Sequence, residues 1–182
     1  MENITMPITS IGEPDWIEKL TTFLESYDVE VEGLEDFESA FELPEQVMEY
    51  YRHFGGIESS DFMYNLYKPE QLIGLSQSQW SFVKENFTDT QMQPYIVFSE
   101  SPGNDPVCFD KHDFSIWLFS HDPLRKAKVF EDFNQYLQYE MIELQKLMGD
   151  VDFADDEEEM RYHQENLSGN DIDFDFRRMK FL

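Results

Sequence analysis

Four histidines, one cysteine and two runs of carboxylates are the side chains here whose types and spacing could do chemistry. His121-Asp122 has the form of a general base beside a carboxylate that would orient it, but no nucleophile is identifiable nearby. Ser99-Glu100-Ser101-Pro102-Gly103 is not a nucleophile elbow, because the first glycine is missing. Cys108 lies between Val107 and Phe109, where a small buried hydrophobe is expected; a catalytic thiolate would need a base beside it. His53, His112, His121 and His163 show neither a two-histidine helix motif nor zinc-ligand spacing. The block Asp155-Asp156-Glu157-Glu158-Glu159 lacks the spaced ligands and the glycine of a calcium loop. The eight glycines are scattered and form no phosphate cradle. The sequence therefore predicts no catalytic residue, no metal ligand set and no cofactor.

What the carboxylates do is electrostatic. Thirteen basic residues face 39 acidic ones, for a formal net charge of −26. Such a surface repels nucleic acid and anionic membranes and attracts basic proteins. The charge is concentrated between Glu25 and Glu49, a stretch with ten acids and no Lys or Arg. A stabilised helix face mixes signs, so a run of one sign repels itself. Two readings follow: a surface complementary to a basic partner, or a device for solubility. On the first, Glu30, Glu32, Glu35, Asp36, Glu38 and Glu42 are the candidate partner-binding residues, and Asp155, Asp156, Glu157, Glu158 and Glu159 form a secondary acidic patch able to reach into a partner's cleft. Phe37 and Phe41, inside the run, either anchor an interface or pack the segment onto the core.

The elements that must carry these residues can be read from periodicity and turn chemistry. Ile17, Leu20, Phe23 and Leu24 recur at helical spacing after Pro14. A second helix starts at Leu43-Pro44 and stops at Gly55-Gly56. Phe62 to Tyr67 suggests a short strand, Pro69 to Leu72 a helical turn, and Ser76 to Phe87 a helix. Tyr95 to Phe98 and Val107 to Asp110 form a hairpin around Pro102 to Pro106, followed by a third strand at Ser115 to Phe119. Phe130, Phe133, Leu137, Met141 and Leu144 mark a long helix from Val129 to Met148. From Gly149 to Leu182 there are 11 acids and four bases. This stretch suggests an appended tail, partly dispensable for folding, with a helix around Glu157 to Asn166. Its end, from Ile172, either adds an edge strand or docks on the domain.

The predicted architecture is an α+β fold, a single mostly antiparallel sheet packed by helices, with a domain over residues 1–148 and an acidic extension over residues 149–182. The composition, 41% apolar and 16% aromatic, is that of a folded chain. Met1 to Ser10 lacks the basic and apolar regions of an export signal, and no apolar run is long enough to span a bilayer. A cytoplasmic protein without direct membrane or nucleic-acid contact is expected.

The segment Leu43-Pro44-Glu45-Gln46-Val47-Met48-Glu49-Tyr50-Tyr51-Arg52-His53-Phe54-Gly55-Gly56 resembles the Leu-Pro helix and Gly-Gly turn of the SUKH superfamily, whose members are similar to fungal cell-wall-synthesis regulators. Leu66 to Leu72, the hairpin from Tyr95 to Asp110, Ile116 to Asp122, and Phe130 to Leu137 resemble its later elements in order. Asn104 separates Gly103 from Asp105 where the family usually has an adjacent Gly-Asp pair, and Val129 stands where a serine is usual. The resemblance spans residues 14–148. It implies a binding protein without catalysis. Bacterial members resemble immunity proteins that neutralise polymorphic toxins, often nucleases, and fungal members resemble regulatory scaffolds. On the first branch the partner is a basic cognate toxin.

Overall fold

The computed structural model describes residues 4–181, so the first three residues of the N-terminal stretch and Leu182 lie outside the described residues. Five strands form one antiparallel meander in the order β1-β2-β3-β4-β5: β1 Ile73–Gly74, β2 Tyr95–Glu100, β3 Pro106–Asp110, β4 Ile116–His121 and β5 Leu124–Phe130. The α+β expectation holds. Strand alternation sorts the side chains to two faces. Ile96, Phe98, Val107, Phe109, Ile116, Leu118 and Val129 meet the larger core. Tyr95, Val97, Cys108 and Phe119 meet a smaller one. Strands buried on both faces explain the near-continuous apolar runs of β2 and β3.

Helices α1 (Trp16–Glu25), α2 (Glu45–Phe54) and α5 (Phe133–Met148) cover the larger face. Helices α3 (Ser81–Asn86) and α4 (Asp89–Met92), with a 3-10 turn at Leu75–Gln77, cover the smaller one. The predicted helix over Ser76 to Phe87 is thus divided. Ser78 is buried and its hydroxyl donates to Leu75 O at 2.7 Å, which closes the turn before α3 begins. Residues 62–67 form an irregular loop and no strand; its one ladder-like bond is Tyr67 N–H to Phe98 O at 2.8 Å.

The long helix starts four residues later than its periodicity suggests. Val129 and Phe130 belong to β5, paired with β4 after the Asp122-Pro123 turn, whose peptide bond is cis. Asp132 then caps α5 by accepting from Gln135 N at 2.9 Å. Gly149, at φ 82°, closes the other end in the left-handed conformation that glycine adopts without penalty.

Beyond Gly149 come α6 (Asp156–Asn166) and α7 (Phe174–Phe181), so the end of the chain docks as a helix and forms no edge strand. Leu167, Phe176 and Phe181 enter the larger core. Tyr139 O–H donates to Phe181 O at 2.7 Å, and the buried Arg177 donates to Val129 O and Leu167 O at 3.2 and 3.3 Å. Among the described residues no helix is long and apolar enough to cross a membrane.

Candidate partner-binding surface

Residues 28–44 form an extended strap laid across α2. Leu34 N–H donates to Tyr51 O at 3.1 Å and Gly56 N–H to Glu32 O at 3.0 Å, tying the strap to the C-terminal turn of α2. The two backbones meet closely at Gly33, where a Cβ would lie 2.1 Å from Arg52 O, and at Gly56, where it would lie 2.9 Å from Glu32 Cγ. Gly56 is therefore needed for proximity to the strap. Gly55 ends the helix in the right-handed region.

The strap's side chains divide by chemistry. Val31, Leu34, Phe37, Phe41 and Leu43 pack on the larger core, and Phe37 meets Tyr51 edge-on at 5.6 Å. Packing is thus what Phe37 and Phe41 do in the free protein. Glu30, Glu32, Glu35, Asp36, Glu38 and Glu42 are all exposed, and among the described residues none of their carboxylates has an ion-pair partner or a hydrogen-bond donor. Nearby cations are committed elsewhere. Arg52 pairs with Glu45 and Glu49, and Lys68 pairs with Glu58 at 3.0 Å. Lys111 sits over the Phe41 ring at 5.8 Å.

A cleft of about 390 Å³ lies between the end of α2 and the 57–68 loop, and its wall includes Lys68, on which the charge of the strap residue Glu32 acts. A second cleft of about 210 Å³ shares Ser60, Met63 and Tyr64 with it and is lined by Asp61, Glu100, Glu140 and Glu143. Tyr64 and Leu147 stand exposed at its rim, at 57% and 62%. Burial pushes the Glu140 carboxyl up to about 7, and the charge of Glu143 adds to the rise. Met63 N–H donates to Glu140 Oε2 at 3.3 Å, and a hydrogen bond from Tyr136 partly offsets the shift. An aromatic and aliphatic rim around carboxylates suits the long apolar stems and charged heads of Lys or Arg.

The secondary acidic block is put to several uses. Asp155 caps α6 by accepting from Glu158 N at 2.9 Å, and Glu158 accepts from Ala154 N at 2.8 Å. Carboxylates here also favour the positive end of the helix dipole. Glu159 turns inward against Lys146, while Asp156 lies 3.8 Å from Arg178 and Glu157 is exposed.

His121 is oriented by Asp105, at 2.5 Å from Nδ1, and not by its neighbour Asp122. Asp105 is fully buried and also accepts from Lys180 Nζ at 3.0 Å, which fastens α7 to the hairpin turn. Sequence reasoning passed over Asp105, Glu140 and Glu143 as site residues. Two acids three apart on the otherwise apolar stretch of α5 were the available signal for Glu140 and Glu143.

No curated protein matches the chain, and no solved structure does. The SMI1 / KNR4 family (SUKH-1) model matches residues 29–139, from the strap through the sheet into α5. That match covers more than half of the chain, in the segment that holds the five strands and the Leu-Pro helix, and so the chain belongs to the SMI1 / KNR4 family (SUKH-1).

Proposed function

We propose that this chain is a cytoplasmic binding protein without catalysis that neutralises a basic protein toxin by covering its active surface with the acidic strap and the adjoining clefts. The observation that carries the reading is the strap itself: six exposed carboxylates that, among the described residues, make no ion pair or hydrogen bond, held on a backbone anchored to α2. Charges of one sign placed together cost stability. Fixed in position, they speed encounter with a basic surface and select the partner. The SUKH group includes toxin immunity proteins and fungal regulators, and an acidic surface fits the first when the toxin is a nuclease with a basic substrate groove.

The test is protection in cells. Where a large secreted protein is encoded beside this gene, its C-terminal domain is expressed with and without this chain. The reading expects growth only when both are present. Continued killing, or no such neighbouring gene, would favour a regulatory scaffold that docks endogenous proteins.

A further inference from the structure

A second cluster of acids lies where α5 meets α6, apart from the strap. Glu159 and His163 are four residues apart on α6, so they share one face, and Glu143 of α5 faces them. One carboxylate oxygen from each glutamate and one imidazole nitrogen lie within 4.8 Å of one another. His163 Nε2 is 3.9 Å from Glu159 Oε1. The histidine is 3% exposed, and among the described residues neither of its ring nitrogens has a hydrogen-bond partner. A buried imidazole with both nitrogens unused is unusual, because the large majority of buried side-chain polar atoms are hydrogen-bonded.

A cation already lies against these donors. Lys146 Nζ is 3.1 and 3.2 Å from the two Glu143 oxygens. It also contacts Glu159 Oε1, although that oxygen makes no well-formed hydrogen bond. The Lys146 side chain is 25% exposed, so its head can swing into water. Glu159 opens onto a cleft of about 400 Å³ whose walls include Asp152, Asp155 and Asp156, an approach that attracts cations.

We propose that Glu143, Glu159 and His163 bind a divalent transition ion of the zinc class, which replaces the Lys146 ammonium. Two carboxylates and one imidazole form a three-ligand set that leaves a coordination position for water. Bonds of about 2.0–2.2 Å require the donors to draw together by roughly an ångström from their present spacing. The bound ion would join α6 to α5 and give His163 the partner it lacks. This inference does not depend on the proposed partner.

The test is calorimetric titration of metal-free protein with ZnCl2, with MgCl2 as a control and thermal melts of every variant. The expected result is one zinc per chain, a raised melting midpoint, and little response to magnesium. His163→Gln and Glu159→Gln should each weaken zinc binding at least ~10-fold, given that even outer partners of a metal site matter on that scale. Lys146→Met should tighten it, since no ammonium then competes. Should His163→Gln fail to fold, the partly exposed Glu143→Gln carries the same expectation. The proposal is overturned by absence of stoichiometric zinc, by unchanged affinity in the ligand variants, or by a Lys146→Met variant that binds no tighter.

Discussion

Replacing Glu140 by glutamine should stabilise the protein more at pH 8 than at pH 5. Burial, with the charge of Glu143 added, raises this carboxyl from 4.5 to about 7. An acid whose folded-state pKa lies above its unfolded value holds its proton more tightly in the native state. Its penalty is therefore small below the unfolded value, grows as pH rises through the interval, and is complete above the folded value. At ~1.4 kcal/mol per pH unit this amounts to about 3 kcal/mol at pH 8, of which about 1 kcal/mol is already present at pH 5. Glutamine keeps the shape and can still accept from Tyr136, but it carries no charge. Thermal and urea melts of both proteins at the two pH values measure the effect. The difference in stabilisation, about 2 kcal/mol, corresponds to a shift in midpoint of roughly 4–8 °C for a chain of this size. Equal stabilisation at both pH values, or a variant less stable at pH 8, would refute the reading of Glu140 as an uncompensated acid. The same penalty would make its charged form receptive to a cation from a partner.

Three further substitutions test how the surface is held. Phe176→Ala should cost about 3–5 kcal/mol in denaturant melts, because the ring is 1% exposed in the larger core; a cost near zero would show that α7 is a loosely attached tail. Gly33→Ala should destabilise by about 1–3 kcal/mol, since its Cβ would lie 2.1 Å from Arg52 O, and should raise amide exchange across the strap; unchanged exchange would contradict the anchoring role. Asp105→Asn removes the countercharge of Lys180, whose side chain is 10% exposed, and should cost about 3–5 kcal/mol in urea melts, whereas a wild-type midpoint would count against that pair.

Strong local signals made most of the architecture legible from sequence. Leu-Pro followed by an amphipathic turn marked α2, and the Pro-Gly-Asn-Asp-Pro segment marked the β2–β3 hairpin. β5 was missed because Phe130 continues the three- and four-residue spacing of Phe133 and Leu137, although it lies in a strand. Its alternation is also muted: Lys126 does not face open solvent but rests over Tyr95, Trp117 and Phe119 at 4.8–5.5 Å. Composition left the tail's end open between an edge strand and docking; its acids are numerous, and it is Leu167, Phe176 and Phe181 that enter the larger core. The acidity of the strap was plain, but its placement depends on the approach of Gly33 to Arg52, a contact between residues 19 positions apart that no local pattern encodes. His121 gained its carboxylate partner from across the hairpin for the same reason.

The central claim is that the exposed strap carboxylates steer a basic partner. It is tested most directly by stopped-flow association of the proposed basic partner with the wild-type chain and with the Glu35→Lys, Asp36→Lys, Glu38→Lys triple variant, over a range of salt. All three side chains are exposed and, among the described residues, without ion-pair partners, so the variant should melt like the wild type, within about ±0.5 kcal/mol per substitution. The account predicts an on-rate slower by at least ~10-fold at low salt and a flattened salt dependence, since rim charges act through long-range attraction. An on-rate and salt dependence equal to the wild type's would contradict it and leave the strap as a solubility feature.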